Sequence, residues 1–326
     1  MQLIKGKKIA DDILNNIKSQ IEKEELKPTL AVILIGEDEA SKIYVGLKEK
    51  AAREIEMNFK LYKYEAEVKE EIVLNKIEEI NNDNDIHGVI VQLPLPKNLD
   101  KHKIINAINP EKDVDGFCDE NQKCFSENRE TLFPVVPKAI MKMVESVLKE
   151  IEMKNRNLVY EDRDSQHPLF NSPPQGGGEG SAVELFGGKN AVVVCKSDDF
   201  GKIMQKAFEK IEIGSEYIFC DKVSEEENSN MLKEADIVVT ACGIKNLINS
   251  QMVKDKAVII DGGIVKEDGK VYGDVDLESF RETDCFISPV PGGVGPVTVA
   301  CLLENTYLAH HKSTNRGMWD FEKLRI

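Results

Sequence analysis

Thr29-Leu-Ala-Val-Ile-Leu-Ile35 is an apolar run broken only by its leading threonine, and it stops at Gly36. A strand with one wet face alternates apolar and polar residues, so a continuous run predicts a strand covered on both faces, as in a parallel α/β sheet. The flanking segments carry the matching pattern. An amphipathic helix with Ile9, Ile13, Ile17 and Ile21 on one stripe precedes the run. A helix through Tyr44, a strand from Phe59 to Tyr64, a helix carrying Ile72, Leu74, Ile77 and Ile80, and a second buried strand, Gly88-Val-Ile-Val-Gln-Leu93, come after it. This β-α-β-α-β rhythm predicts an α/β domain with a largely parallel sheet.

Further strands are expected at Lys189–Cys195, Glu216–Cys220, Ile237–Thr240 and Ala257–Ile260, in a second α/β unit. We therefore expect two α/β domains, and the family resemblance described below implies a cleft between them. The first covers residues 1–137 and, on the same resemblance, is an N-terminal catalytic domain completed by a C-terminal helix at 296–312. The second is a Rossmann-like dinucleotide-binding domain over 138–295, entered by a helix from about Lys138 to Glu150. Over 154–182 the periodicity fails, and Asp164 to Ser181 has the Gly, Pro, Ser and Gln content of a flexible insertion. His167 falls there and reads as a bystander.

Acidic residues outnumber basic ones by 58 to 43, a formal charge of −15. Such a balance argues against nucleic acid or an anionic membrane as the main partner and for a small-molecule ligand. No run approaches the ~18 to 20 apolar residues of a membrane span, and the first ten residues lack an apolar signal core. The seven cysteines, Cys118, Cys124, Cys195, Cys220, Cys242, Cys285 and Cys301, are odd in number and contain no Cys-x-x-Cys pair. Free thiols in a reducing, cytoplasmic setting are the expectation.

Chemistry concentrates in four stretches. In the first, Tyr44 and Lys48 are one helical turn apart with Ser41 just before them, so a helix puts all three on one face. A lysine beside a phenol and shielded from water gives up its proton more readily and suits proton transfer near neutral pH. The same spacing also occurs on ordinary surface helices. In the second, Gln92 ends a buried strand, where open α/β sheets bind ligands. The third, Asn109 to Phe117, places Asp113 and Asp115 in a Pro/Gly-fixed loop. No further oxygen ligands occur at calcium-loop spacing, so no metal is expected and a carboxylate accepting paired N–H donors from a heterocycle is the better reading.

The fourth lies in the second unit. Lys196-Ser197-Asp198-Asp199-Phe200-Gly201 joins a strand to a helix in the frame of a dinucleotide turn, although Gly-x-Gly-x-x-Gly is absent and the two aspartates repel phosphate unless turned outward. Asp221 comes after the next strand, where a carboxylate commonly bonds an adenosine ribose; that favours NAD over NADP. Cys242-Gly243 and Asp261-Gly262-Gly263 supply tight turns. Near the end of the chain, the loop Ser288-Pro-Val-Pro291-Gly292-Gly293-Val-Gly295-Pro-Val-Thr298 is rigid yet open to close backbone approach by a ligand.

Taken together, Ala40-Ser41-x-x-Tyr44-Val45-x-x-Lys48, Gln92-Leu-Pro-Leu-Pro96, Pro110-x-Lys-Asp-Val-Asp115-Gly-Phe117 and Pro289-Val-Pro-Gly-Gly-Val-Gly-Pro296-x-Thr298 resemble the FolD family. These are bifunctional methylene-tetrahydrofolate dehydrogenases and methenyl-tetrahydrofolate cyclohydrolases. The resemblance covers nearly the whole chain outside the insertion and the last residues. It implies oxidation of 5,10-methylene- to 5,10-methenyl-tetrahydrofolate with NADP, NAD being the alternative, and hydrolysis of the product to 10-formyl-tetrahydrofolate. It also implies a cytoplasmic homodimer serving one-carbon metabolism and purine biosynthesis. Lys48 would then be the central catalytic group, with Tyr44 and Gln92 ordering it. Ser41, Asp115, Pro291, Gly292, Gly293 and Thr298 would bind substrate, and Lys196, Ser197, Gly201, Asp221, Cys242, Gly243, Gly263 and Gly295 the cofactor.

The chain departs from the family pattern at three places. Gly-Arg-Ser-x-x-Val-Gly-x-Pro becomes Cys195-Lys196-Ser197-Asp198-Asp199-Phe200-Gly201-Lys202-Ile203, in which lysine keeps the charge but loses the fork of arginine. Val135-Val136 replaces Cys-Thr between Pro134 and Pro137, and Cys118 replaces a histidine. These departures leave two alternatives: a cyclohydrolase with a decayed nucleotide pocket, and a folate-binding protein without activity. Short-chain dehydrogenases share Tyr-x-x-x-Lys but carry it after the nucleotide-binding fold, whereas here it comes before.

Overall fold

A computed structural model describes residues 1–164 and 188–314. In chain order its elements are β1 (Gln2–Leu3), α1 (Gly6–Glu24), β2 (Thr29–Ile35), α2 (Glu39–Glu54), β3 (Asn58–Tyr64), α3 (Glu70–Asn82), β4 (Gly88–Val91), α4 (Lys101–Asn106), α5 (Asp119–Ser126) and α6 (Val135–Asp164). Next come β5 (Asn190–Cys195), α7 (Asp198–Glu209), β6 (Gly214–Phe219), α8 (Glu226–Glu234), β7 (Ile237–Ala241), β8 (Val258–Asp261), β9 (Val265–Glu267), β10 (Lys270–Tyr272), β11 (Phe286–Ile287) and α9 (Val294–Ser313). The chain forms two units. One comprises Gly6–Ala139 and the segment from Gly295 onward; the other comprises Met1–Lys5 and Ile140–Val294.

The first unit is built on the parallel sheet β3-β2-β4. Every residue of the central strand β2 is buried, which is why its sequence carries no alternation. Ala31, Ile33 and Ile35 share a core with Val73, Ile77 and Ile80 of α3. The buried stripe of α3 thus begins at Val73, and Ile72 is exposed. Strand β4 ends at Val91, two residues before the expected Leu93. Gln92 N still donates to Ile33 O at 2.9 Å, but Pro94 has no N–H with which to extend the ladder.

The C-terminal helix α9 belongs to this unit from Gly295 on. A Cβ on Gly88 would stand 2.8 Å from Val114 and 2.9 Å from Thr306, so β4 and α9 meet at a position only glycine fits. Asn305 Nδ2 donates to the carbonyls of Val114 and Phe133, each at 2.9 Å. Lys138 Nζ donates to Asn305 Oδ1 at 2.8 Å and pairs with Glu304 at 2.6 Å, all three residues being buried.

The second unit holds a six-stranded, wholly parallel sheet in the order β1-β11-β8-β7-β5-β6. Met1–Lys5 goes with this sheet because β1 pairs with β11, although the sequence suggested grouping residues 1–137 together. Helix α6 runs on to Asp164, past the expected end at Glu150 and into the segment read as insertion. Residues 165–187, with His167 and most of that segment, lie outside the described residues. No helix among the described residues is long and apolar enough to cross a membrane.

The expectation of free thiols fails for two of the seven cysteines. Cys220 and Cys242 form a disulfide, with Cα atoms 6.1 Å apart, while Cys118, Cys124, Cys195, Cys285 and Cys301 are free and buried. The two partners are 22 residues apart in sequence, a spacing with no recognisable signature. They meet because β6 and β7 flank β5 and the residues just after both strands join one apolar cluster beneath it.

Candidate active site

In both sheets the chain leaves one strand, adds a neighbour on one side and then crosses to the other side: β2 to β3 and then β4, and β5 to β6 and then β7. The carboxyl ends at such a switch point leave a crevice where open α/β sheets bind ligands. Lys48 and Gln92 come from one of these places, and the 196–201 turn from the other.

Asp38 caps α2, its Oδ2 accepting from Ser41 N at 2.7 Å. Ser41, Val45, Ala51 and Ala52 form the buried face, and Tyr44 and Lys48 occupy the partly buried flank beside it. Lys48 Nζ donates to Gln92 Oε1 at 2.8 Å, while Gln92 Nε2 donates to Leu93 O at 2.7 Å. The carbonyl of Leu93 can only accept, so the amide must turn its NH₂ there and its oxygen toward the lysine. Ser41 Oγ donates to the same carbonyl at 3.3 Å, so the hydroxyl read as a substrate ligand helps hold the loop.

Burial lowers the Lys48 pKa from its ordinary value, and the nearby Asp115 carboxylate opposes that shift. Burial pushes the Asp115 carboxyl up to about 6, with Lys48 opposing and Asp113 adding to the rise. Burial also raises the Tyr44 phenol, which keeps it a donor at neutral pH. The two loop carboxylates have separate tasks. Asp113 accepts from Gly116 N at 3.0 Å, Cys118 N at 2.9 Å and Asn121 Nδ2 at 3.1 Å, which fixes the loop and leaves Asp115 as the carboxylate coupled to the lysine. Asn121 was not evident as a site residue, because a lone asparagine in a short helix gives no signal.

In the second unit Ser197 caps α7, its Oγ accepting from Phe200 N at 3.3 Å. A Cβ on Gly201 would stand 2.5 Å from the Tyr217 ring, so the glycine is what lets helix and strand close together. Asp198 accepts from the Tyr217 hydroxyl and pairs with Lys202, which holds it to the side of the helix. Gly243 has φ +59° and lies where a Cβ would be 3.7 Å from Lys196 Nζ.

Cys242 N and Ile244 N donate to the two oxygens of buried Asp274 at 2.6 and 2.7 Å. Gly263 N donates to Asp261 Oδ1 at 3.0 Å, and that carboxylate also accepts from Asp274 N and Val275 N. The N–H groups of Cys242 and Gly263 are thus spent on internal carboxylates, and a Cβ on Gly263 would fall within 2.1 Å of Asp274. Asp261 and Asp274 shape these turns, roles their sequence positions did not reveal. The remaining elements, a helix N-terminus behind a tight glycine, a cation and a left-handed glycine, fit a dinucleotide diphosphate.

Pro291, Gly292 and Gly293 belong to this second unit, Gly292 with φ +103°, whereas Gly295 and Thr298 lie in the first turns of α9 in the first unit. Among the described residues no group of three or more His, Cys, Asp or Glu could hold a metal ion.

Residues 4–115 match the catalytic domain of the tetrahydrofolate dehydrogenase/cyclohydrolase family, and residues 181–314 match its NAD(P)-binding domain. The chain belongs to this family. It is 38% identical over 311 residues to the bifunctional protein FolD of Vesicomyosocius okutanii, covering 95% of this chain and 99% of that one. The crystal structure of the bifunctional FolD enzyme from Campylobacter jejuni matches with TM-score 0.78 at 30% identity, covering 97% of this chain and 100% of that one. The Trypanosoma brucei enzyme, solved with NADP and an inhibitor, matches with TM-score 0.78 at 26% identity, covering 97% and 98%. The chain is a bifunctional dehydrogenase/cyclohydrolase acting on tetrahydrofolate derivatives, with an NAD(P)-binding domain. Both family domains are present, so neither the cyclohydrolase-only reading nor the inactive one is favoured.

Proposed function

We propose that Lys48 is the proton-transfer group for methenyl hydrolysis, with Gln92 and Tyr44 positioning it and Asp115 holding the pterin. The observation that carries this is the 2.8 Å Lys48–Gln92 bond on a lysine whose ammonium form burial disfavours. A neutral Lys48 amine takes a proton from water as the oxygen bonds to the methenyl carbon. As the C–N5 bond breaks, the ammonium returns that proton to N5 and the remaining hydroxyl proton leaves to solvent, giving 10-formyl-tetrahydrofolate. The Gln92 oxygen accepts from the lysine in both protonation states, so the amine keeps one orientation through the cycle. In the oxidative step a bound nicotinamide supplies the hydride acceptor. Asp115, ionised near neutral pH, accepts paired N–H donors of the pterin through charge-assisted bonds.

We further assign residues 6–137 with 296–312 to folate chemistry and 138–295 to the cofactor, Met1–Lys5 going with the second sheet, which the two family matches support. The motif resemblance supports a cytoplasmic homodimer feeding one-carbon units to purine synthesis. The −15 charge supports an enzyme with neither a nucleic acid nor a membrane as partner. Light scattering should give twice the mass of one chain.

The direct test assays methenyl formation with NAD and with NADP, and separately measures methenyl hydrolysis. Both activities are expected, and absence of hydrolysis in folded protein would refute the Lys48 assignment. The pH profile offers a second check. Acidification through about pH 6 protonates Asp115, so kcat/KM for hydrolysis should fall there, and Asp115→Asn should lose that inflection.

The stability effect has the opposite sign. The folded-state value lies above the unfolded one, so Asp115 costs least below about pH 4 and most above pH 6. Asp115→Asn should therefore be more stable than wild type at pH 7, by roughly 1–3 kcal/mol, and equal to it below pH 4. Denaturant melts at the two pH values measure this.

A further inference from the structure

Strand β5 ends at Cys195, which the register pairs with Phe219 of β6 on one side and Ala241 of β7 on the other. Cys220 and Cys242 are therefore the first residues past the ladder on either flank, level with Lys196, where the chain turns off towards α7. Two strands separated by a third run roughly 9–10 Å apart. The Cα atoms of Cys220 and Cys242 stand 6.1 Å apart, so the flanking strands close across the end of β5, from which the turn that fits the diphosphate departs. On the β7 side the bridge fixes Cys242, whose N–H is held by Asp274 and whose neighbour Gly243 adopts φ +59° beside the Lys196 amine. On the β6 side it fixes the single helical turn Cys220–Lys222, which sets the exposed Asp221 at the carboxyl edge of the sheet. In the reducing setting proposed above, a protein disulfide is usually transient and redox-sensing rather than permanent.

We propose that Cys220 and Cys242 form a reversible dithiol–disulfide switch that sets how tightly the second unit holds its dinucleotide. The co-reactant is a dithiol. Its thiolate attacks Sγ of Cys220, 8% exposed against 2% for Cys242, and the S–S bond breaks to release the Cys242 sulfur, which takes up a proton. The second thiol of the reductant then displaces Cys220, which is protonated in turn. Two electrons and two protons have passed to the protein, and the reductant leaves as a disulfide. The two segments are then no longer confined to the ~4.4 to 6.8 Å that a disulfide requires. The Cys242–Gly243 turn and the Lys196 amine beside it lose a constraint that preorganises them for the diphosphate, so the oxidised protein binds the cofactor tightly and the reduced protein weakly. This rests on the cofactor-turn reading and adds regulation to it.

The test compares full-length protein in air-oxidised form with the same protein reduced by dithiothreitol and desalted under argon. Alkylation in denaturant should count five thiols in the first and seven in the second. Calorimetric titration with NAD and with NADP reads binding without turnover. Reduction is expected to raise the Kd of the tighter-binding cofactor at least tenfold, reoxidation to restore it, and methenyl hydrolysis to stay within twofold throughout. Cys220→Ala should bind as weakly as reduced wild type and no longer respond to dithiothreitol, while thermal melting reports its fold. Seven thiols in the air-oxidised protein would overturn the proposal. A Kd unmoved as five thiols become seven, with only the melting temperature lowered, would make the bridge a structural staple and overturn it equally. A Cys220→Ala protein that still responds to dithiothreitol would place the sensitivity in another thiol and reject the switch. Binding of neither cofactor in either state would refute the cofactor-turn reading together with this inference, whereas equal binding in both states would sink the inference alone.

Discussion

Lys48→Met should slow methenyl-tetrahydrofolate hydrolysis by roughly 10³-fold, within the usual range for losing a positioned acid–base group. Methionine keeps the unbranched chain and loses the amine, so the α2 flank stays filled while water has no proton acceptor. The dehydrogenase step behaves differently on grounds of chemical balance. Loss of a hydride from the methylene carbon leaves the methenyl cation directly, and no proton moves at that carbon. Lys48→Met should therefore retain much more dehydrogenase than hydrolase activity, and methenyl-tetrahydrofolate should accumulate during methylene oxidation. Absorbance of the methenyl product during single turnovers distinguishes the outcomes. Equal losses in both steps would mean that Lys48 mainly binds the folate, and near-normal hydrolysis would remove it from the chemistry altogether.

The residues of the candidate site differed in how far the sequence disclosed them. Lys48, Tyr44, Gln92 and Asp115 stood out because each obeys a local rule: one turn of helix, an amide at a strand end, a carboxylate in a Pro/Gly loop. The parallel sheets were legible for the same reason, since strands buried on both faces leave continuous apolar runs. What stayed hidden depends on contacts far apart in the chain. Asp274 serves Cys242 and Ile244 from about thirty positions downstream. Cys220 and Cys242 meet only because β6 and β7 flank a common strand. The pairing of β1 with β11 joins the first residues to a strand more than 280 positions away, and two residues offer too short a pattern to announce it. Ser41 adds a contact that its motif did not announce: its hydroxyl donates to the carbonyl of Leu93 in the loop that follows Gln92.

The largest stability effect should come from Lys138→Met. Lys138 and Glu304 are 6% and 7% exposed, so the methionine variant takes an ammonium away from a buried carboxylate and a donor from Asn305. Breaking a buried pair from one side typically costs about 3–5 kcal/mol, and a loss of that size should lower the melting midpoint of this unit on the order of 10 °C. Acidification should shrink the deficit, because protonating the Glu304 carboxyl removes its charge. The double variant Lys138→Met/Glu304→Leu should recover most of the loss, since a well-packed apolar pair can replace a buried ion pair at little cost. A single variant within about 1 kcal/mol of wild type in urea melts would show the pair to be hydrated in solution, and the double variant would then gain nothing. The consequence reaches the chemistry through α9. Asn305 fastens this helix to the carbonyls of Val114 and Phe133, on either side of Asp115 in sequence, so loosening α9 loosens the loop that presents Asp115. Hydrolysis by the single variant should therefore show a raised KM at temperatures well below its melting point, with kcat changed less.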